Sequence, residues 1–208
     1  MAELDTVKHE NEARIRAWGL EVNPGLPLIE SLDEVSPRTA RDVAARGSAL
    51  GYVVGIGFGA DPVELRRDLE RFGLWDWVSA RERGMLTEGA SRQDEIDCTW
   101  LTEGIQALGY CLGIVDMDPS RHCDDDLADR FPLGVDPQRF ISAATLRPLD
   151  EIQAQVDLHY RLHWYVRQCE LTGVPPKFVD GGVIRERRRA LDWVYGVEAD
   201  WDDVPCDT

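Results

Sequence analysis

The feature that most limits what this chain can fold into is the spacing of its apolar residues. They recur at helical intervals in successive runs and nowhere alternate with polar residues for more than a few positions. Ala40, Val43, Ala44, Gly47, Leu50 and Val54 form the first clear stripe, opened by Ser36-Pro37, a capping hydroxyl followed by a proline suited to the first helical position. Its small residues predict close approach of a second helix. Asp61-Pro62 repeats the start signal ahead of Leu65, Leu69 and Phe72, and Trp75 and Trp77 follow where the chain should turn back onto the core. Ser91 with Asp94 reads as a capping box before Trp100, Leu101, Ile105, Leu108 and Leu112.

Between Val115 and Pro148 the pairs Asp118-Pro119, Phe131-Pro132, Asp136-Pro137 and Arg147-Pro148 permit only short helices and turns. Asp150 opens the longest uninterrupted pattern, which reaches Leu171 and is ended by Gly173, Pro175 and Pro176. Gly181-Gly182 precede a last helix from Val183 to Tyr195, stopped by Gly196. The expectation is an all-α chain, one domain over residues 1–208 with about six or seven packed helices. An extended tail should follow, from Glu198 to Thr208, with five acids and no base.

Charge narrows the function classes. The formal net charge is −16, from 39 acidic and 23 basic residues, and a field of that sign repels phosphate backbones and anionic lipid. Direct nucleic-acid or membrane binding is therefore not expected, whereas a basic protein partner is. The five cysteines (98, 111, 123, 169 and 206) are odd in number, dispersed and without a C-x-x-C pair, which argues against a disulfide framework or zinc ribbon and for a reducing cytoplasm. The opening MAELDTVKHENEARIRAW is charged where a secretory leader would be apolar. No apolar run approaches the roughly 20 residues of a membrane span.

The long helical pattern carries the first candidate chemistry. Ile152, Val156, Leu158, Leu162, Tyr165, Val166 and Cys169 fill one arc, with His159 and His163 inside it. Asp157, Arg161, Trp164 and Gln168 fall opposite, with Asp157 placed to pair with Arg161 one turn on. Two histidines four apart can share a metal, which makes His159 and His163 metal-ligand candidates. The intervening Tyr160, Arg161 and Leu162 lack the glutamate of a zinc-protease helix, so buried, hydrogen-bonded imidazoles and no cofactor are expected.

Other patterns fail on their spacing. Counting from Asp116, a calcium loop would need glycine at Arg121 and glutamate at Leu127, and Gly55-Ile56-Gly57-Phe58-Gly59-Ala60 lacks the third glycine of a dinucleotide loop. Glu103 lies in an apolar helix and requires a cation, for which Arg161, Arg167 and His163 are candidates. The run Arg185-Glu186-Arg187-Arg188-Arg189 spreads around a helix rather than forming one phosphate-binding face. Its arginines are expected to pair with Asp200, Asp202, Asp203 and Asp207 and so pin the tail.

Three blocks carry a family resemblance: Asp157-Leu158-His159-Tyr160-Arg161-Leu162-His163-Trp164, Glu186-Arg187-Arg188-Arg189-Ala190-Leu191-Asp192-Trp193, and Trp201-Asp202-Asp203-Val204-Pro205-Cys206-Asp207-Thr208. With Arg38–Arg46 and Trp100–Glu103 upstream, the chain from about Arg14 to its C-terminus resembles the bacterial domain of unknown function 4272 family. Leu101 stands where an arginine is expected and Gly104 where a bulkier residue is usual, so an ion pair using that arginine is absent here. The resemblance implies a helical fold in a bacterial cytoplasm and no particular activity.

Three functions are consistent with this reading. The first is a protein–protein interaction module, in its sharpest form an immunity or antitoxin-like inhibitor masking a basic toxin surface, with Arg161, Trp164, Asp202 and Asp203 as binding candidates. The second is an enzyme whose polar pocket gathers Glu103, Tyr160, His163 and Arg187. The third is a structural subunit of a larger assembly. The sequence sets no oligomeric state.

Overall fold

A computed structural model describes residues 2–205, with side chains from residue 4 onward, so Cys206, Asp207 and Thr208 lie outside the described residues. Its eight α-helices are α1 (Ala2–Ala17), α2 (Ala40–Gly57), α3 (Pro62–Arg71), α4 (Ala80–Glu88), α5 (Arg92–Cys111), α6 (Gln138–Ala143), α7 (Leu149–Thr172) and α8 (Gly181–Tyr195). Short 3-10 turns at Trp75–Trp77 and Leu127–Arg130 complete the secondary structure, and there is no strand among the described residues. No helix among them is long and apolar enough to cross a membrane.

Most helix ends follow the sequence punctuation. Asp61 accepts from Val63 N–H with Pro62 inside the first turn of α3, and Ser91 and Asp94 close a reciprocal capping box on α5. Gly173 and Gly196 adopt left-handed conformations that terminate α7 and α8. The start of α2 differs. Its cap is Thr39, in a reciprocal box with Asp42, and not Ser36-Pro37. Arg38 N–H donates to Val194 O at 2.9 Å, which commits the chain before Thr39 to the end of α8.

In space the main helices follow the order α2, α5, α8, α7, α1, each packed on the next, with α3 and α6 against α2 and α4 against α3. One apolar core lies between α2, α5 and α8, around Leu50, Val53, Leu108 and Leu191; a second lies between α1, α7 and the start of α8, around Ile15, Leu158, Leu162 and Ile184. Complete burial of side chains of this size contributes about 1.5–3 kcal/mol each. The expected close approach to α2 occurs at Gly57, where a Cβ would lie 2.8 Å from Glu95 O and Thr99 N of α5. Gly47 and Gly51 admit Phe131 and Leu133 from the connection between α5 and α6.

α1 covers the face of α7 opposite its apolar arc: Asn11 donates to Ala154 O and Asp157 Oδ2, both at 2.9 Å, so Asp157 and Arg161 are buried there. One expectation is corrected. The segment after α8 bends and turns rather than running extended, because Trp201 and Val204 are drawn into the core. Trp201 meets Trp193 edge-on at 5.5 Å and covers the Arg46 guanidinium at 4.2 Å. Arg46 is itself fixed by two 2.7 Å bonds to Glu82, the residue that closes the α4 capping box with Ser79.

Candidate functional site

Glu103 and Arg187 come together, both fully buried, across the contact between α5 and α8. Arg187 Nε and Nη2 reach Glu103 Oε2 at 2.9 and 2.8 Å. The remaining guanidinium donors hold the carbonyls of Asp118 (2.7 Å) and Arg121 (2.9 Å), while Glu103 Oε1 accepts from Cys123 N–H (2.9 Å) with His122 Nδ1 3.3 Å away. Neither Arg161, Arg167 nor His163 is Glu103's partner. The pair therefore nails residues 118–123 to the core. Gln106 extends the clamp, donating to Asp116 O and Asp124 Oδ2 and accepting from Asp124 N–H.

Tyr160 and His163 lie in a different cluster, around Arg188. Arg188 Nη1 donates to His163 Nδ1 at 2.7 Å, Nε bonds Asp192, and the guanidinium packs over Tyr160 at 5.2 Å. An arginine is always a donor, so this bond makes His163 Nδ1 an acceptor and places the neutral ring's proton on Nε2. Burial, reinforced by Arg188, lowers the His163 pKa to about 4. His159 is completely buried and Nδ1 bonds Gln155 O at 2.9 Å; burial lowers its pKa to about 3. Both rings are neutral at pH 7, and their Nδ1 atoms are committed to different partners. No group of three or more His, Cys, Asp or Glu capable of holding a metal occurs among the described residues.

The binding candidates are scattered. Arg161 is sealed inside, bonded to Asp157 at 2.7 and 2.9 Å and 3.5 Å from Glu12. Trp164 is half-buried against the second core. Asp202 and Asp203 are exposed on the turn after Trp201, where Asp202 Oδ2 accepts the Arg81 N–H at 2.9 Å. Among the described residues, no hydrogen bond or ion pair joins Arg185, Arg187 or Arg189 to Asp200, Asp202 or Asp203. Arg185 pairs with Glu170, Arg187 with Glu103, Arg188 with Asp192 and Arg189 with Glu186, carboxylates that tertiary packing or one helical turn brings within reach. Arg38 also holds the segment, donating to the carbonyls of Glu198 and Ala199, and Asp207 lies outside the described residues.

Two concavities stand out. The first is an apolar groove of about 410 Å³ between α2, α5 and the 123–133 segment, lined by Val54, Phe58, Ile105, Leu127, Phe131 and Leu133 and rimmed by Asp124 and Asp125. Phe58 is 73% exposed, and Leu133 in the same groove is exposed as well. Asp118, Asp125 and Asp129, all exposed, extend the negative charge along the same connection, while Asp116 pairs with Arg147 and Asp126 with Arg130. In the sequence these aspartates match no calcium loop and Gly55–Ala60 no dinucleotide loop; the one available signal is the acid-rich composition of the connection, and nothing local places it beside Phe58.

The second is a polar cleft of about 480 Å³ where α4, α5 and α8 meet beneath Trp201. Glu186 lines it, its side chain only 13% exposed and bonded through Oε2 to Arg189 Nη1 at 3.1 Å. Burial raises its pKa against the opposing pull of Arg189 and Arg185. The only sign in the sequence was one acid inside a basic run. Cys98 also lines this cleft, but burial pushes its thiol up to about 12, so it is no nucleophile near neutral pH.

A family model described as a domain of unknown function, DUF4272, matches residues 7–204, beginning before the Arg14 boundary and taking in much of α1. No match to the chain exists among curated proteins or among solved structures.

Proposed function

The chain belongs to the DUF4272 family, and from that premise we propose that it is a protein-interaction module that docks a basic, amphipathic segment of a partner protein. The observation that carries this reading is the apolar groove beside the acid-rich connection. Exposed aromatic and aliphatic side chains grouped in a concavity are a feature of docking sites, and aspartates at the rim favour a cationic partner and speed its encounter. The −16 net charge acts in the same direction. The Glu103–Arg187 clamp supports the reading from within, since it fixes the backbone that presents the aspartates. An immunity-type inhibitor that masks a toxin's basic surface is the sharper form of this proposal. An enzyme using Glu103, Tyr160, His163 and Arg187, or a subunit of a larger assembly, draws no comparable support.

The test is fluorescence anisotropy with a labelled helical peptide of leucines and lysines, and with its glutamate counterpart. The lysine peptide is expected to bind, to weaken as salt rises, and to weaken further with Asp124→Asn/Asp125→Asn and with Phe58→Ala. Equal binding of both peptides, or binding unchanged by these substitutions, refutes the docking reading. Native mass spectrometry of protein purified gently from its host then shows whether a bound partner carries such a segment.

A further inference from the structure

The polar cleft under Trp201 lies apart from the groove and has a different chemistry. Three arginines (81, 185 and 189) meet five carboxylates on its walls. Each arginine already bonds a carboxylate: Arg81 bonds Asp94 (3.0 Å) and Asp97 (2.7 Å), Arg185 bonds Glu170 (3.1 Å), and Arg189 bonds Glu186 (3.1 Å). Among the acids, Glu82 is taken by Arg46. Glu186 and Asp202 retain capacity, because Glu186 Oε1 and Asp202 Oδ1 have no hydrogen bond among the described residues. The positive groups are neutralised, and the surplus on the walls is negative.

The apolar part of the cleft is equally specific. Trp100 lies so close to Gly182 that a Cβ there would sit 2.8 Å from its ring, so the glycine is what admits the indole. Met85, Ile96 and Leu101 continue the apolar wall beside it. A carboxylate withdrawn from water and served by one hydrogen bond gains from a second donor, more so when that donor is charged. An anion entering the same space would meet the surplus carboxylates.

We propose that this cleft binds a small organic cation, an alkylammonium or alkylguanidinium, with its head group taken by Glu186 and its carbon chain against Trp100 and Ile96. Burial raises the Glu186 pKa even though Arg189 and Arg185 pull it down, so its carboxylate is poorly solvated where the head group would sit. The site does not depend on the docking groove, so failure of either proposal leaves the other standing.

The experiment is isothermal titration of the full-length protein with n-butylammonium and n-butylguanidinium, using n-butanol and butyrate as neutral and anionic controls. A ligand of this size is expected to bind with a dissociation constant on the order of millimolar. Glu186→Gln should weaken the cations by about tenfold, the loss of one charge-assisted hydrogen bond. Asp202→Asn, at an exposed position, should also weaken them, and it keeps the test decisive if Glu186→Gln fails to fold. Absence of cation binding overturns the proposal, as do equal binding of butanol or butyrate and affinity unchanged in the folded variants. Tighter binding of N-acetyl-lysine amide than of butylammonium assigns the cation to a protein side chain and overturns the small-molecule identity.

Discussion

Replacing Arg187 by methionine removes the cation that joins α5, α8 and the acid-rich connection. Both partners are almost inaccessible to water: Arg187 is 1% exposed and Glu103 is 2% exposed. The substitution leaves Glu103 buried with the Cys123 N–H and the exposed His122 as its remaining partners, and it strips the donors from Asp118 O and Arg121 O. Breaking a buried ion pair from one side costs about 3–5 kcal/mol. For a chain of this length, about 4 kcal/mol lowers the thermal midpoint by roughly 8–16 °C. The two open carbonyls regain water more readily than the carboxylate does, so most of the cost belongs to Glu103.

A double-mutant cycle with Glu103→Leu tests that assignment. The double variant should be less destabilised than the sum of the singles, with a coupling of about 1–3 kcal/mol. Calorimetry gives the midpoints, and hydrogen exchange at the Cys123 amide reports whether the connection has come loose. The lysine peptide should bind more weakly to Arg187→Met at temperatures where the variant remains folded, because the rim aspartates are no longer held in register. A wild-type midpoint in Arg187→Met, or strictly additive singles, would refute the claim that this pair clamps the acid-rich connection.

Two further perturbations follow from the packing. His159 is neutral when folded, with a pKa near 3 against an ordinary value of 6.5. The unfolded chain therefore binds the extra proton, and the associated stability, complete above pH 6.5, falls by about 1.4 kcal/mol per unit of pH on acidification toward the folded pKa. Urea midpoints between pH 8 and pH 5 should decline less in His159→Leu than in the parent, and parallel curves would contradict a neutral buried imidazole. Gly104→Ala in α5 should stabilise by about 0.5–1 kcal/mol, since the new methyl meets Trp201 and Ala190 only at 3.9–4.0 Å. Gly57→Ala should destabilise, because its methyl meets α5 backbone at 2.8 Å. Thermal melts of the two variants that move in the same direction would contradict this distinction.

The sequence by itself determined whatever depends on neighbours along the chain. Caps at Asp61 and Ser91, stops at Gly173 and Gly196, and the apolar stripes of α2, α5, α7 and α8 were legible because helix hydrogen bonds and side-chain periodicity are local. α1 was not, because its stripe is sparse and much of its hold on α7 is polar, through Asn11 and Glu12. The burial of Asp157 and Arg161 was illegible for the same reason, since it depends on a helix more than a hundred residues away in sequence. Glu103's need for a cation was visible in its apolar surroundings, yet the choice of Arg187 over Arg161 was not.

Tertiary structure alone decided those pairings. Arg187 and Arg188 are adjacent in sequence but project from α8 about 100° apart, so one enters the α5 contact and the other the α7 contact. The groove and the polar cleft have the same origin. Each is assembled from segments distant in sequence, and only packing determines which exposed phenylalanine lies beside which aspartates, or which lone glutamate is withdrawn from water.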